Sequence, residues 1–217
     1  MTEPAKELAR YFVVGDVHGC AYTLEALVAR APADRRIVLL GDYVDRGPHA
    51  RQAVALVRGW VSAGKVIALK GNHEDMMVRA ILGGATREND AWLSEGGDAT
   101  MDSYGADGRA LVDDATFLDA LPSCHEDPPY LFSHAGVPPE TTLEDAIRTK
   151  EILWNRGWLS DRWQQVVGHT PAPEPIVHPG QWAGIDTGAY ASGVLTALLL
   201  PEWEVVQQDA DPRDRRS

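Results

Sequence analysis

The sequence predicts an α/β fold in which two sheets pack on each other between layers of helix. Two observations carry that expectation. Over residues 11–71, short apolar runs closed by glycine alternate with stretches whose apolar residues recur at helical spacing. From residue 130 onward, short β-like runs separated by turn residues take over.

The first apolar run, 11–14, ends at Gly15 and reads as a buried strand. Residues 22–30 follow with Leu24, Leu27 and Val28 at helical spacing. A second strand is expected over 37–40, closed by Gly41, and a second helix over 52–61, with Val54, Leu56, Val57 and Trp60 on its apolar face. A third strand over 66–69 ends at Lys70 and Gly71. This β-α-β-α-β rhythm predicts parallel strands joined by right-handed crossovers. In such sheets ligands collect at the carboxyl ends of the strands. Residues 74–82 look helical up to Gly83 and Gly84, 91–104 helical in pieces around Gly96 and Gly97, and 116–121 helical up to Pro122. Short strands are expected over 130–133, 165–167, 175–177, 182–185, 193–199 and 203–206. They supply the second sheet. No repeat, low-complexity tract or linker divides the chain, so one domain is expected over 11–208. It lies between an N-terminal segment, 1–10, and a polar tail, 209–217, expected to fray.

A chain of 217 residues suits one domain with a sizeable core. Hydrophobic residues make up 44% and charged residues 24%, an ordinary globular balance, but the formal net charge is -12. That field opposes non-specific binding of nucleic acid, which rests on cationic contacts to phosphate. A nucleotide or phosphoprotein can still bind where a metal reverses the local sign. Cys20 and Cys124 are too few for a disulfide framework and read as free thiols of a reducing cytoplasm. The N-terminal run MTEPAKELAR has no apolar signal core, and Val194–Leu200 is far too short to span a bilayer. A cytoplasmic protein with no membrane partner is expected.

Three Gly-led runs carry the chemistry: GDVHG at 15–19, GDYVDRG at 41–47 and GNHE at 71–74. They place Asp16, His18, Asp42, Asn72 and His73 on loops at one end of the sheet. Oxygen ligands mixed with imidazole suit first-row divalent ions. Two such ions side by side are a recurring device for phosphoester hydrolysis. Asp16 and His18 flank Val17, so an extended backbone points both the same way. Taken alone, a helix-capping Asp and a surface His would explain them. Asp42 stands where a carboxylate can bridge two ions. Arg46 offers a planar fork matched to phosphate oxygens, though a surface Asp45–Arg46 pair would be unremarked by itself. Asn72 is either a neutral oxygen ligand or a helix cap. His73, with a carboxylate such as Asp45 on its other nitrogen, can stay protonated and act as a general acid. His134 in SHAG and His169 in GHT each end a later strand beside glycine. His49 and His125 read as solvent-facing loop residues, and His178 as a remote ligand candidate. The joint placement of ligand-type residues at five strand ends favours a dinuclear site over coincidence.

The series GDxHG, GDxVDRG, GNHE, HAG and GH resembles the phosphoprotein phosphatase family of calcineurin-like metallophosphoesterases. Here it stands as GDVHG, GDYVDRG, GNHED, SHAG and GHT, from Gly15 to about Gly193. The chain is most similar to small bacterial and phage members typified by bacteriophage lambda phosphatase, through its LWNR, GHTP and IDTGA runs at 153–156, 168–171 and 185–189. The resemblance implies an α/β/β/α sandwich of two mixed sheets. It implies that Asp16 and His18 hold a first divalent ion, that Asp42 bridges, and that Asn72, His134 and His169 complete a second site. Mn2+ is the usual ion of the bacterial branch, with iron and zinc elsewhere. Arg46 and Arg156, with Asn72, would bind phosphate. His73, oriented by Asp45, would protonate the leaving group after direct attack by a hydroxide bridging the ions. The substrate implied is phosphoserine or phosphothreonine in proteins, favoured by Asp45 within VDRG and Glu74 within GNHE. A symmetrical dinucleoside tetraphosphatase is the alternative on the same site. A non-catalytic module is disfavoured because every expected position is filled. Substrate reach is expected from 83–114 and 141–163, whose Trp92, Trp154, Trp158 and Trp163 serve as stacking, core or lid residues.

Overall fold

The computed structural model describes residues 8–84 and 86–215. Strands β1 (Tyr11–Val14), β2 (Arg36–Leu39) and β3 (Val66–Ala68) alternate with helices α1 (Ala21–Ala29) and α2 (Ala50–Ser62). The three strands pair in parallel, as the rhythm of the sequence predicts. Helices α3 (Asn72–Gly83), α4 (Thr86–Trp92), α5 (Asp98–Tyr104) and α6 (Gly108–Asp119) follow, with a π turn over Leu93–Gly97 joining α4 to α5. Strands β4 (Cys124–Asp127), β5 (Tyr130–Ser133), β6 (Gln164–Val167), β7 (Ile176–His178) and β8 (Trp182–Gly184) form the second sheet, and α7 (Leu143–Arg148) lies between β5 and β6. After α8 (Ala189–Ser192), β9 (Val194–Leu200) and β10 (Glu204–Asp209) return to the first sheet. The sheet orders are β10-β9-β1-β2-β3 and β4-β5-β6-β8-β7, both mixed.

Strand alternation makes the sandwich. Tyr11 and Val13 face the second sheet and pack with Val38, Leu40, Phe132, Val166, Ile185 and Leu198. Phe12 and Val14 face the other way, onto Leu24, Leu27, Val54, Val57, Met77 and Leu118 of the helices. The outer face of the second sheet is covered by Val137, Ala146, Ile152 and Leu153. The layers are therefore α/β/β/α, as the resemblance implies. Among the described residues no helix is long and apolar enough to cross a membrane.

Four local expectations are corrected. Residues 124–127, CHED, are too polar to signal a strand, yet they pair antiparallel with β5 at the sheet edge. His125 therefore lies in β4, its Nε2 3.3 Å from the Tyr11 hydroxyl, rather than in a solvent-facing loop. α6 begins at Gly108, capped by the Asp107 side chain on the Ala110 N–H, well before residue 116. The tail is built into the fold through residue 215; residues 216 and 217 lie outside the described residues. β10 runs to Asp209, and a 3-10 turn over Pro212–Asp214 brings the Asp214 carboxylate to the start of α1. There it accepts from the Thr23 N–H at 2.7 Å, the Thr23 hydroxyl at 2.6 Å and the Tyr22 N–H at 3.4 Å. Cys20, at the N-cap of α1, makes no side-chain cap, so the cap comes from a segment 191 residues away. Asp214→Ala should leave buried donors unpaired and lower unfolding free energy by about 1–3 kcal/mol. Urea denaturation checks this, with turnover per folded molecule unchanged.

Candidate metal centre

Of the ligand candidates named from the sequence, Asp16, His18, Asp42, Asn72, His134 and His169 lie at the carboxyl ends of β1, β2, β3, β5 and β6, and all six are buried. Asp16 is 2% exposed, His18 1%, Asp42 2%, Asn72 3%, His134 0% and His169 4%. Ligand-type atoms of Asp16, Asp42 and His134 lie within 4.8 Å of one another, as do those of His18, Asp42 and His73. Asp42 belongs to both groups, the position a bridging carboxylate needs.

The close approach of backbones makes room for this. A Cβ at Gly71 would stand 2.1 Å from Asp42 Oδ1, and one at Gly168 would stand 1.9 Å from Asp16 Oδ1. The His73 N–H, at the start of α3, donates to Asp42 Oδ1 at 3.1 Å, and the His169 N–H donates to both Asp16 oxygens at 3.1–3.2 Å. His18, Asp42, Asp45, Arg46 and His169 all have φ between 42° and 70°, a conformation uncommon for residues other than glycine.

The imidazoles are oriented for coordination. Nδ1 of His18 lies 2.9 Å from the Val44 carbonyl and Nδ1 of His134 3.1 Å from the Leu40 carbonyl. A carbonyl only accepts, so both Nδ1 atoms carry the proton and both Nε2 lone pairs face the centre. Each Nε2 is 3.4 Å from Asp42 Oδ2. His134 Nε2 also meets Asn72 Oδ1 at 2.7 Å, and His169 Nδ1 lies 3.0 Å from the same oxygen. His169 Nε2 is buried without a partner among the described residues. Burial lowers the pKa of all three, His18 and His169 to about 3, so they are neutral, as ligands must be. Burial, with the charges of Asp186 and Asp42, pushes the Asp16 carboxyl well above the usual carboxylate range, and burial likewise raises Asp186. Crowded carboxylates, lone pairs facing one another and an orphaned ring nitrogen form a donor set that fits divalent cations.

His73 differs. Its Nδ1 is 2.7 Å from Asp45 Oδ2, and its Nε2 is 3.9 Å from Asp42 Oδ2. Burial acts to lower its pKa, but the Asp42 and Asp45 carboxylates outweigh it and the net shift is upward. Arg46 Nη1 sits 2.8 Å from His18 Nε2, with its guanidinium 5.2 Å over the Tyr190 ring and Nη2 3.8 Å from Glu95. Arg156 is exposed at the rim, where its charge helps lower His134 and His169. It lines a cavity of about 210 Å³ with Asn155, Trp158 and Trp182. Trp154 is 41% exposed, its ring 6.1 Å from that of His169. His178 lies on β7, paired across from Trp182, and is not brought to the centre. Cys20 is buried, its thiol pushed up to about 12, and takes no part.

Asp186, Tyr190 and Thr100 are not named as site residues from the sequence, and Trp92, expected there as a stacking, core or lid residue, is a core residue, 1% exposed, whose contact with Asp45 is not marked either. Asp186 and Tyr190 follow β8, and the IDTGA run was the available signal for Asp186. Trp92 and Thr100 both contact Asp45, and nothing local marks that shared contact. Glu74, the residue of the GNHE run that marks the phosphoprotein reading, is fully buried and bound to backbone. Its oxygens accept N–H bonds from Asp42, Gly71, Tyr43 and Val44 at 2.7, 2.9, 2.7 and 3.3 Å. It cannot touch a substrate.

Residues 9–195 match the calcineurin-like phosphoesterase family, and the chain belongs to that family. Its donor set and fold are those of a metallophosphoesterase. Among curated relatives, it is 30% identical to serine/threonine-protein phosphatase 1 of Salmonella typhimurium, over 90% of this chain and 94% of that one. It is 26% identical to the asymmetrical bis(5'-nucleosyl)-tetraphosphatase PrpE of Anoxybacillus flavithermus, over 90% of this chain and 92% of that one. Among solved structures, a putative diadenosine tetraphosphatase superposes with a TM-score of 0.68 at 19% identity, covering 95% of this chain and 96% of that one. A Saccharomyces cerevisiae protein serine/threonine phosphatase does so at 0.65 and 16%, covering 94% and 80%.

Glu74→Gln would turn an amide NH2 toward N–H donors and strip acceptors from the 42–44 turn. The expected outcome is a loss of about 2–4 kcal/mol, from one or two buried donors left unpaired. Metal affinity should fall with it. Denaturant titration and equilibrium dialysis against Mn2+ check both.

Proposed function

We propose that the chain hydrolyses phosphoric monoesters with alkoxide leaving groups, foremost phosphoserine and phosphothreonine in proteins, at a pair of divalent ions. The observation that carries this is the buried His73–Asp45 pair, joined at 2.7 Å with the second ring nitrogen turned toward Asp42. An alkoxide is a strong base and leaves only with a proton. The nucleotide expelled from a phosphoanhydride is a stable anion and needs none. A dedicated proton donor is thus worth most for a serine or threonine ester.

In this reading Asp16, His18 and Asp42 would hold one ion, and Asn72, His134 and His169 would complete a second site with Asp42, with Mn2+ the expected metal and iron or zinc compatible by donor type. Ions bound there would lower the pKa of a water and offset phosphate charge. Arg46, 2.8 Å from His18 Nε2 and over the Tyr190 ring, would release that nitrogen to an ion and offer its fork to the phosphoryl oxygens. Arg156 approaches from the rim and binds the same group. His73 gives its Nε2 proton to the leaving oxygen while Asp45 keeps the ring in that tautomer. Asn72 lies beside the phosphate as well as at the second ion.

A second reading is hydrolysis of a dinucleoside tetraphosphate. The names of the PrpE relatives support it, and they specify asymmetrical cleavage where the sequence reading weighed the symmetrical one. The preference for the phosphoprotein rests on Asp45 and His73, with Glu74 a marker in the GNHE run and not a substrate contact.

Metal-stripped, Mn2+-reloaded protein should be offered a phosphoserine protein and diadenosine tetraphosphate in parallel. Faster phosphate release from the phosphoprotein supports the first reading. Preferential conversion of the dinucleotide to AMP and ATP moves the chain to the second, and two ADP would mark symmetrical cleavage. His73→Asn should cut turnover of the phosphoserine protein by about 10²–10⁴-fold with metal content retained. Asp42→Asn should lose metal, as read by elemental analysis. Normal turnover in the first variant, or full metal stoichiometry in the second, contradicts the role given.

A further inference from the structure

We propose that Trp92 and Thr100 are positioning residues that aim the proton donor His73 by clamping the Asp45 carboxylate; this rests on the reading of His73 as the acid. Asp45 is 0% exposed, and its carboxylate has three side-chain partners. His73 Nδ1–H donates to Oδ2 at 2.7 Å. The Trp92 indole N–H lies 3.0 Å from both oxygens. The Thr100 hydroxyl donates to Oδ1 at 2.7 Å and accepts the Asp45 N–H at 2.8 Å. Trp92 and Thr100 are themselves buried, 1% and 0% exposed.

Two neutral donors fix the plane of a buried carboxylate without cancelling its charge. A lysine or arginine in their place would compete with the imidazole. With Trp92 and Thr100, the attraction of the carboxylate is left for His73, and the ring is held so that Nε2 faces the cleft.

The backbone of 92–100 is shaped for this contact. A π turn over Leu93–Gly97 separates α4 from α5, so that Trp92 at the end of one and Thr100 near the start of the other reach the same carboxylate. A Cβ at Gly97 would stand 2.6 Å from Trp92 Cε2, so glycine alone lets the chain lie against the indole. The Gly96 carbonyl, at φ 105°, accepts the Arg46 N–H at 3.1 Å. The segment thus holds the Asp45 side chain and the Arg46 backbone together, both residues having positive φ, 70° and 66°. Packing alone would place an indole in the core, but it would not require both donors to converge on one acid.

The test uses the Mn2+-loaded full chain carrying Trp92→Phe, Thr100→Val or Thr100→Ser. Two substrates are compared: an aryl phosphate with an acidic phenol leaving group and a phosphoserine peptide with an alkoxide one. A clamp on the acid predicts that Trp92→Phe and Thr100→Val each lose about tenfold or more in kcat on the peptide, part of the 10²–10⁴ an acid supplies, with KM unchanged. Aryl phosphate turnover should hardly move, and Thr100→Ser should restore the peptide rate. Equal losses on both substrates, or none on either, overturn the clamp. A second readout needs no substrate: in the protein loaded with diamagnetic Zn2+ instead of Mn2+, the proton NMR resonance of His73 Nδ1–H, assigned by its loss in His73→Asn. It should shift and exchange faster with water in Trp92→Phe and Thr100→Val and return in Thr100→Ser, and an unchanged resonance overturns the clamp. If His73→Asn stays fully active, the assignment of the acid falls, while the resonance still decides whether Trp92 and Thr100 orient the ring.

Discussion

The carboxylate of Glu74 ties the end of β2 to the start of α3, and the centre is assembled around that tie. Four backbone N–H groups converge on it, from Asp42, Tyr43, Val44 and Gly71. The turn after β2 is thereby drawn under the first turn of α3, whose free N–H groups and dipole favour negative charge. Asp42 comes with it and takes the His73 N–H on Oδ1. One buried acid therefore sets the distance between the bridging carboxylate, the Asn72 oxygen and the imidazole of His73. That is why a residue that never meets a substrate sits inside the motif.

The same region gathers more negative charge than its own cations offset. Asp16, Asp42 and Asp186 are each 2% exposed and share a wall with imidazoles that burial keeps neutral. Arg46 is the guanidinium that reaches in, and it spends a donor on His18 Nε2, the lone pair an ion would take. Burying carboxylates this way costs several kcal/mol per charge unless a cation compensates. Divalent ions do so and consume the lone pairs at once. Part of the -12 formal charge is thus drawn into the centre.

The strand-end residues were legible in the sequence because each follows an apolar run closed by glycine, a signal contained in a few neighbouring positions. Asp16, Asp42, Asn72, His134 and His169 were named as candidates that way and are gathered at one end of the sheet, and the two-sheet fold was read from the same pattern. β4 was not, because an edge strand facing solvent has no apolar period to read. The buried 3-10 turn at 212–214 was read as a tail, since its composition is polar and the contact that buries Asp214 lies near Thr23. The contact of Trp92 and Thr100 with Asp45 was not legible for the same reason: their shared partner lies some 50 positions earlier. Asp186 had a signal in the IDTGA run, but its part in the centre depends on Asp16, far back in the chain. Local pattern names the candidate ligands, and tertiary contact names the residues around them.

Five site residues outside glycine hold positive φ, at a cost of about 1–3 kcal/mol each. The strain is sustained by hydrogen bonds that cross between loops. The Val17 and His18 N–H groups both donate to the Asp42 carbonyl at 3.1 and 2.7 Å, and the Gly19 N–H donates to the Tyr43 carbonyl at 2.9 Å. The loops after β1 and β2 therefore behave as one body, fastened to α3 by Glu74 and to the π turn by Gly96. A unit so constrained has little freedom to adapt to a new leaving group. Variation in substrate has to come from side chains outside it, and the exposed ones are Arg156, Trp154, Trp158 and Tyr190 at the rim. Relatives named for phosphoproteins and for dinucleotides both align over nine-tenths of this chain. A rigid hydrolytic centre beneath a replaceable rim is the physical arrangement under which both names can attach to one fold.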